Sequence, residues 1–336
     1  MKTSADVWAI VLAAGEGSRL RALTTQRCGH CVPKQFCSLH GGPTLLDEAI
    51  LRASKVVPAH RICPIVAEQH SFWWKPLVNR FPPGNVIVQP ANRGTAIGIL
   101  YSVMYILARD PRAHVVLLPA DHFVREEATL QRALQASIEC VQRDPRSPVL
   151  LGLEPDEAES DLGYIVPGPG DSNGSRRVQR FVEKPPPQVA TALIAQGALW
   201  NTFIIAAAGQ ALIDAFFAER FAMVIAQIEK FLNRTTRDGR TTPRAWSDLT
   251  SIYETFPVVD FSRDILAGRE AELRVVEASA CGWSDLGTPK RVAETLARLQ
   301  PHHWTYEDAP ESDLHTPMNL AVQQSRYAMN AGDMHL

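Results

Sequence analysis

Short runs of apolar residues alternate with longer apolar or amphipathic stretches through the first part of the chain. A short run that ends at glycine, proline or a carboxylate is typical of a buried strand, and apolar residues three or four positions apart are typical of a helix. This pattern predicts strands at residues 7–14, 61–66, 86–89, 114–119 and 149–153. It predicts helices at residues 45–57, 71–80, 95–109 and 126–143. The alternation indicates the α/β class, with a Rossmann-like, mixed and mainly parallel sheet covered by helices on both faces.

The pattern changes after about residue 155, where the apolar runs shorten and glycine, proline and serine separate them. Strands are expected at residues 164–166, 178–182 and 201–206, and we interpret them as a β region inserted around the sheet. A helix at 210–232, an exposed basic loop at 233–244, a strand at 273–277 and a helix at 290–299 are expected to follow. Residues beyond 301 show little periodicity.

Composition narrows the class of protein. The 336 residues are 46% hydrophobic and 21% charged, as in an ordinary globular protein. The formal net charge of −2 disfavours extended binding to nucleic acid. No run of about 18 apolar residues predicts a membrane span, and the apolar run at residues 7–14 is too short for a signal peptide. We therefore expect a cytoplasmic protein whose six cysteines are reduced.

A glycine-rich segment follows the first predicted strand. Glycine lets a backbone approach a ligand closely, and the backbone N–H groups then point at phosphate oxygens. Arg19 and Lys34 add positive charge suited to a triphosphate. The segment alone lacks the third glycine of a dinucleotide fingerprint and the Gly-Lys-Ser/Thr end of a P-loop, so a simple tight turn is an alternative interpretation. The candidate phosphate-binding residues are Leu12, Ala13, Ala14, Gly15, Gly17 and Ser18.

Further blocks follow this segment in a fixed order. They read Pro-Lys-Gln-Phe at 33–36, Gln-Pro-Ala-Asn-Arg-Gly-Thr-Ala at 89–96, Leu-Leu-Pro-Ala-Asp-His at 117–122, Gly-Tyr-Ile at 163–165, Phe-Val-Glu-Lys-Pro at 181–185, Leu-Trp-Asn-Thr-Phe at 199–203, Val-Asp-Phe-Ser at 259–262 and Gly-Trp-Ser-Asp-Leu-Gly at 282–287. Over about residues 7–295 the set resembles the sugar-1-phosphate nucleotidyltransferases, and most of all the mannose-1-phosphate guanylyltransferase branch.

The resemblance implies a fold, a reaction and a set of partners. It implies a GT-A-like nucleotidyltransferase domain at 1–299, with the nucleotide in about 1–155 and the sugar phosphate in about 156–299, followed by a tail at 300–336. It implies transfer of a nucleotidyl group from a nucleoside triphosphate, GTP above all, to a sugar 1-phosphate, mannose 1-phosphate above all, with release of pyrophosphate. No nucleic-acid or membrane partner is expected, and a homodimer stays an open expectation.

The resemblance also assigns roles to residues. The catalytic residues it implies are Arg19, Lys34, Asp121, Lys184 and Asp285. Mg²⁺ favours carboxylate and phosphate oxygens, and Asp121 and Asp285 are its implied ligands, each expected at the end of a strand. The remaining implied contacts are Gln89, Gly94 and Thr95 for the nucleotide, and Gly163, Glu183 and Asn201 for the sugar. A helix N-cap is the alternative for Asp121, and a strand-edge ion pair is the alternative for Lys184.

The chain departs from the family pattern in three places. A longer segment before Pro33 carries Cys28 and Cys31, for which reduced thiols and a zinc site are alternatives. Gly94 stands where the family has asparagine, and Phe203 stands where it has a glycine beside the sugar. These changes leave open another base or sugar, or a catalytically silent subunit that binds sugar nucleotides.

Overall fold

A nine-stranded mixed sheet organises the computed structural model, which describes residues 6–25, 31–170, 174–234, 243–299 and 318–320. The strands are β1 Val7–Leu12, β2 Cys37–Ser38, β3 Ile62–Ala67, β4 Ile87–Gln89, β5 His114–Pro119, β6 Val149–Leu153, β7 Tyr164–Gly170, β8 Arg176–Val182, β9 Leu199–Ala208, β10 Arg274–Ala278 and β11 Met318–Asn319. The large sheet has the order β4-β3-β1-β5-β9-β6-β10-β8-β7, and β2 pairs with β11 separately.

Helices cover both faces of this sheet, as the sequence predicts. They are α1 Arg21–Thr24, α2 Leu45–Ser54, α3 Ser71–Trp74, α4 Gly94–Leu107, α5 Glu127–Arg143, α6 Pro187–Ala195, α7 Gly209–Phe216, α8 Ala222–Leu232, α9 Pro243–Glu254 and α10 Pro289–Arg298. Side chains alternate across β1, so that Val7, Ala9 and Val11 enter one core with α2 and α5. Trp8 and Ile10 enter the other core, with α4, α7 and α8.

The sheet is parallel at one end and mostly antiparallel at the other. The β4-β3-β1-β5 part is parallel throughout, which places the carboxyl ends of these strands at one edge. Strand β9 runs antiparallel between β5 and β6, while β10 is parallel to β6. The outer strands β8 and β7 are antiparallel. The predicted α/β class with a mainly parallel core is confirmed, and the inserted β region is the antiparallel part.

Several predicted elements differ from the structure. The single helix expected at 210–232 is wrong, because α7 ends where Ala218 N–H donates back to the Ile213 carbonyl (3.0 Å), a closure typical of helix ends. The helix expected at 71–80 is α3 followed by a 3-10 turn at Lys75–Arg80. Helices α6 and α9 were not predicted, and both begin at a proline, which is favoured at the first helical position. Residues 235–242 of the expected basic loop lie outside the described residues.

A short segment at residues 318–320 packs against the body of the protein. Met318 pairs with Cys37 in the β11–β2 ladder, and the Leu320 side chain is fully buried. The rest of the predicted tail, residues 300–317 and 321–336, lies outside the described residues. Within the described ranges, no helix combines the length and the apolar character that a membrane crossing requires.

Candidate active site

A cavity of about 520 Å³ opens at the edge where β1, β4 and β5 end. Residues from both ends of the sheet line it, which places the predicted nucleotide and sugar residues around one space. The predicted site residues that line the cavity are Leu12, Ala14, Gly15, Gly17, Arg19, Gln89, Gly94, Thr95, Asp121, Gly163, Glu183, Asn201 and Asp285. Ala13 is buried, Ser18 is exposed, and neither these two residues nor Lys34 and Lys184 belong to the lining.

The glycine-rich turn after β1 is held in place by Gln35. The Gln35 side-chain amide donates to the carbonyls of Ala13 (2.7 Å) and Gly15 (3.0 Å). Gly17 adopts a left-handed backbone with φ of 60°, and a Cβ there would lie 3.1 Å from the Cβ of Lys34. Sequence reasoning did not assign a role to Gln35, although the Pro-Lys-Gln-Phe block contains it. The turn and this block therefore form one structural unit.

Lys34 connects three segments of the site. Its side chain is only 5% exposed, and its ammonium lies 3.0 Å from Asp121 Oδ2. The same ammonium donates to the backbone carbonyls of Asp285 and Leu286. An ammonium has three N–H donors, and three acceptors take them here. Lys34 thus joins the turn after β1 to the segments that carry the two candidate metal ligands.

Asp121 and Asp285 are brought together by backbone pairing. Phe123 and Ser284 exchange two N–H···O hydrogen bonds of 2.9 Å, which fixes the two segments side by side. Asp121 comes soon after β5, as expected. The expectation that Asp285 also ends a strand is wrong, because β10 ends at Ala278 and Asp285 lies in the irregular segment beyond it. The antiparallel pairing replaces the strand end as the positioning device.

The helix N-cap alternative for Asp121 is not what the structure shows. Helix α5 begins after Glu126, several residues beyond Asp121. Burial is the largest influence on the pKa of Asp121 and acts to raise it, but the Lys34 ammonium, His122 and hydrogen bonds to the carboxylate together hold that pKa below its usual value. The Asp121 side chain is 38% exposed and remains an anionic group facing the cavity.

The carboxylate oxygens in the cavity are ligands of the kind that Mg²⁺ binds. Two carboxylates, from Asp121 and Asp285, line the same cavity. In the parts of the chain that the structure describes, no group of three or more His, Cys, Asp or Glu side chains is placed to hold a metal ion. Mg²⁺ is commonly held by one or two carboxylates together with water and substrate phosphates rather than by an all-protein cage.

The segment before Pro33 that carries Cys28 and Cys31 is described only in part. Residues 26–30, which include Cys28, lie outside the described residues. Cys31 lies with its Sγ 3.5 Å from Thr24 Oγ1.

His122 lies next to Asp121 and is kept neutral. Burial lowers its pKa to about 4, against the opposing effect of Asp121. Its ring meets Trp283 edge to face at 5.1 Å, and Trp283 Nε1–H donates to His122 Nδ1 at 3.3 Å. His122 and Trp283 line the cavity together. The pair forms an uncharged wall beside the carboxylates, which sequence reasoning did not identify.

The residues predicted to bind the sugar surround a carboxylate oxygen that lacks a hydrogen-bond partner. Asn201 N–H donates to the Gly163 carbonyl at 2.8 Å, and a Cβ at Gly163 would lie 2.6 Å from Glu183 Oε2. That oxygen is buried without a hydrogen-bond partner. Burial raises the pKa of Glu183 to about 7, Asp260 adds to the rise, and Lys184 opposes it. Gly163 is therefore required by the close approach of Glu183, and Glu183 offers an unused polar atom.

Lys184 forms an ion pair with Glu183, as the alternative interpretation of this residue predicts. Its side chain is 53% exposed, and its ammonium lies 3.8 Å from Glu183 Oε1. Its backbone is left-handed, with φ of 48°, and its N–H donates to the Leu162 carbonyl at 3.2 Å. The position is adjacent to the cavity, and the ammonium is accessible from solvent.

Among the residues predicted to bind the nucleotide, Gln89 also presents an unpartnered atom. Its Oε1 is buried without a hydrogen-bond partner, and a Cβ at Gly98 would lie 3.3 Å from it. Both residues line the cavity. A buried amide oxygen without a partner is costly unless a ligand or water satisfies it. Gln89 is thus placed to accept a hydrogen bond from a bound molecule.

Gly94 lines the cavity and also meets a packing requirement, because a Cβ there would lie 2.2 Å from the Val259 carbonyl oxygen. That it gives room to a base stays a prediction. Its φ is 81°. Around it, Ala96 N–H donates to the Val259 carbonyl (3.1 Å), and the Thr95 hydroxyl accepts from Phe261 N–H (2.8 Å). The start of α4 therefore packs directly against the segment that contains Val259 and Phe261.

Sequence reasoning missed several polar residues of the cavity. Asp161 contacts Arg19 with an Nη1–Oδ2 distance of 3.3 Å. Asp260 and Arg263 lie near Glu183, and Asn92 Oδ1 accepts from Gly94 N–H at 2.9 Å. Asp260 belongs to the Val-Asp-Phe-Ser block and carried a usable signal. Asp161 and Arg263 stand beside matched blocks and carried none.

Comparison with known proteins agrees with this geometry. A family model described as nucleotidyl transferase matches residues 8–300. The match covers most of the chain, and the chain belongs to the nucleotidyl transferase family.

The named proteins that this chain resembles are similar to it over only part of their length. The chain is 33% identical to mannose-1-phosphate guanylyltransferase 2 of Escherichia coli O157:H7 over 214 residues, 60% of this chain and 43% of that protein. It is 30% identical to the xanthan biosynthesis protein XanB of Xanthomonas campestris pv. campestris (strain B100) over 200 residues, 59% of this chain and 41% of that protein. The matched segments thus span less than half the length of these curated relatives. A crystal structure described as mannose-1-phosphate geranyltransferase from Thermus thermophilus superposes with a TM-score of 0.71 at 24% identity, covering 89% of this chain and 81% of that one, and shows the same fold.

Proposed function

We propose that the chain transfers a nucleotidyl group from GTP to mannose 1-phosphate, giving GDP-mannose and pyrophosphate. The observation that carries the proposal is one cavity with a glycine-rich turn and Arg19 on one side, the unpartnered Oε2 of Glu183 on the other, and Asp121 and Asp285 also in its lining. Such a cavity suits two phosphorylated substrates that meet at a metal ion. The proposed division places the nucleotide in residues 1–155 and the sugar phosphate in residues 156–299.

The reaction we propose is one direct displacement. An oxygen of the sugar phosphate attacks the α-phosphorus of the triphosphate, a new P–O bond forms, and the bond to the β-phosphate breaks. Pyrophosphate carries away the electron pair, and no covalent enzyme intermediate forms. Catalysis of this kind depends mainly on positioning and charge neutralisation. Mg²⁺, when held by Asp121 and Asp285, would neutralise phosphate charge at the point of transfer.

Arg19, Lys34 and Lys184 have different roles in the proposed reaction. Arg19 is half exposed and now contacts Asp161 and Asp285, so it is free to exchange these carboxylates for phosphate oxygens. Lys34 is buried and holds the Asp121 and Asp285 segments in place. Lys184 is accessible and next to Glu183, where its ammonium would orient the attacking phosphate. Exposed cations meet the substrates, and the buried cation maintains the site.

The preference for guanine rests on Gln89 and on the relatives. The buried Gln89 Oε1 is an acceptor without a partner, and the Watson–Crick edge of guanine offers N–H donors. The E. coli O157:H7 relative carries the name mannose-1-phosphate guanylyltransferase. On the sugar side, Glu183 with its raised pKa can donate or accept a hydrogen bond near neutral pH, as recognition of sugar hydroxyls requires.

A substrate matrix tests the proposal. The purified chain with Mg²⁺ is given each of the four nucleoside triphosphates with each of several sugar 1-phosphates, and pyrophosphate release is measured. We expect the fastest release with GTP and mannose 1-phosphate, and GDP-mannose as the product by mass spectrometry. Reactions without sugar phosphate are the control, and release there would indicate hydrolysis instead.

Two other outcomes identify the alternatives. A faster rate with another pair would keep the chemistry and change the base or the sugar. Tight binding of sugar nucleotides without turnover for any pair would contradict the proposal and favour a silent binding subunit.

A further inference from the structure

Arg291 is a buried cation beside Asp285 that the reaction described above does not use. It lies in the first turn of α10, where Thr288 caps the helix and its hydroxyl accepts from Arg291 N–H at 3.3 Å. Its side chain is 6% exposed. A buried arginine requires anionic partners, because an unpaired charge in the interior is costly. The identity of those partners shows what the residue does.

The guanidinium joins two carboxylates and an aromatic ring. Its Nε lies 2.8 Å from Asp285 Oδ1 in an ion pair in which the N–H is not directed at the oxygen, and its Nη1–H donates to Glu159 Oε2 at 3.4 Å. The central carbon of the guanidinium lies 5.3 Å from the centre of the Trp200 ring. Glu159 lies in the loop between β6 and β7 that leads to Gly163, and Trp200 precedes Asn201 in β9. Arg291 therefore connects Asp285 to the two segments that carry the sugar-side residues.

Contacts to Asp285 are divided between its two oxygens. Oδ1 meets Arg291 and also accepts from Gly287 N–H at 3.0 Å. Oδ2 faces Arg19, whose Nη2 is 3.9 Å away. A Cβ at Gly287 would lie 2.3 Å from Oδ2, so glycine keeps the space beside that oxygen open. Oδ1 is thus held by contacts within the protein, whereas Oδ2 faces the cavity.

Arg19 and Arg291, the two arginines beside Asp285, differ in exposure and in distance, and this difference matches the separate surroundings of Oδ1 and Oδ2. Arg19 is 50% exposed and its distance to Asp285 is long, whereas Arg291 is buried and close. An incoming phosphate or metal ion can displace the exposed pair at small cost, since exposed ion pairs contribute little. The buried pair stays in place, because breaking it would leave an uncompensated charge in the interior.

We propose that Arg291 is a positioning residue for the metal site: it holds Asp285 by Oδ1 so that Oδ2 is directed to the cation between the substrates. The inference rests on the proposed function, in which Asp285 is a metal ligand. Groups that orient a metal ligand set its geometry and affinity, and their loss typically weakens metal binding about 10–100-fold. Lysine would restore the charge but not the fork that spans Asp285 and Glu159.

Arg291→Lys and Arg291→Met test the proposal, with Arg298→Met as the matched control. Arg298 lies on the same helix, but its pair with Asp156 is exposed. Binding of Mn²⁺, alone and with GTP, is followed by electron paramagnetic resonance of the free ion, and thermal melting reports on the fold. We expect Arg291→Lys to fold and to bind Mn²⁺ in the presence of GTP about tenfold more weakly. Arg298→Met should bind as wild type does. The Mg²⁺ concentration for half-maximal turnover should rise in parallel, with turnover recovering at high Mg²⁺.

The readouts separate positioning from general stability. A purely structural role would lower the melting temperature of Arg291→Lys without changing the Mn²⁺ affinity of the folded protein, and that result would overturn the inference. If Arg291→Met does not fold, Arg291→Lys decides alone. If the wild-type protein turns over its substrates and Arg291→Lys keeps wild-type Mn²⁺ affinity, only this inference is overturned. Wild-type protein that neither binds Mn²⁺ with GTP nor turns over overturns the proposed function and this inference with it.

Discussion

The two regions on either side of residue 155 form their tight turns in different ways. In the described residues of the first region, every left-handed position is a glycine, among them Gly17 and Gly94. In the second region, three left-handed residues carry side chains, and these are Lys184, Phe203 and Leu286, with φ of 48°, 59° and 46°. Such a backbone costs about 1–3 kcal/mol for a residue other than glycine. The second region therefore contains local strain that the first avoids.

The strained residues lie beside the cavity. Lys184 follows Glu183, Leu286 follows Asp285, and Phe203 lines the cavity itself. Strain of this kind persists only where surrounding contacts maintain it, as when Asn201 Oδ1 accepts from Phe203 N–H at 3.1 Å. The two regions thus differ in the residues that take a left-handed backbone: these are glycines alone in the described part of the first region, whereas the second region also uses residues with side chains, each in or next to the cavity.

Lys34→Met should have the largest effect, because Lys34 joins segments of both regions within the site. The change removes the ammonium that neutralises Asp121 and binds the carbonyls of Asp285 and Leu286. We expect kcat to fall about 10³-fold, in the range found when a preorganised charge contact is lost. Steady-state kinetics measures this, and Lys290→Met, which removes an exposed lysine, should stay near wild type. A loss of less than about tenfold would contradict the joining role.

Gly94→Asn should destabilise the protein by about 3 kcal/mol, although the family pattern has asparagine there. Asparagine tolerates a left-handed backbone, but its Cβ would lie 2.2 Å from the Val259 carbonyl oxygen. Denaturant unfolding measures the change in the free energy of unfolding. Gly197→Asn is the matched control, because Gly197 has φ of 77° and open space around its Cβ. Equal stability of the two variants would show that the docking of α4 on Val259 is not as close as described.

Glu183→Gln should change how stability depends on pH. Burial raises the pKa of Glu183 from an ordinary value of 4.5 to about 7 in the folded state, so the folded protein binds this proton more tightly than the unfolded chain. The stabilisation is present in full below about pH 4.5 and is lost as pH rises through about 7, by at most about 3 kcal/mol. The variant lacks this loss, so its stability relative to wild type should rise over that window.

Unfolding free energies between pH 4 and pH 8 check the prediction for Glu183. Glu157→Gln, which removes a carboxylate of an exposed pair with Lys290, serves as the control. Parallel pH profiles for Glu183→Gln and wild type would show that the carboxylate is not buried in the way described.

Phe203→Gly and Phe203→Ala should give the smallest and most specific effects. Both remove the ring that packs edge to face on Phe261 at 6.0 Å, but only glycine also relieves the left-handed backbone. We expect the glycine variant to be more stable than the alanine variant by about 1 kcal/mol. The KM for the sugar 1-phosphate should change about fivefold in both, while the KM for GTP stays within about twofold. A change confined to the KM for GTP would place Phe203 on the wrong side of the cavity.

The sequence predicts the parallel region well. Bounds of β5 and β6 agree with those expected, since short apolar runs between polar breaks are a strong local signal. The helix expected at 210–232 is wrong, because a backbone closure at Ala218 ends α7 within a continuous apolar pattern. Helix α6 was missed because prolines before and within its first turn resemble a loop.

Within the site, the sequence blocks bring most of the right residues to one cavity, but not their contacts. The pairing of Phe123 with Ser284, which places Asp121 beside Asp285, joins segments far apart in the chain. Arg291 belongs to no matched block, and only the folded structure shows that it meets Asp285. Local patterns carry no information on such long-range contacts.

Direct transfer between two substrates in one cavity can be followed with labelled substrate. Wild-type protein is incubated with GTP labelled at the α-phosphate, mannose 1-phosphate and Mg²⁺, and the label is followed in products and in protein. We expect the label to move into GDP-mannose in equal amount to the pyrophosphate released, and the protein to stay unlabelled when mannose 1-phosphate is omitted. Label bound covalently to the protein, or pyrophosphate released without labelled GDP-mannose, would contradict direct transfer.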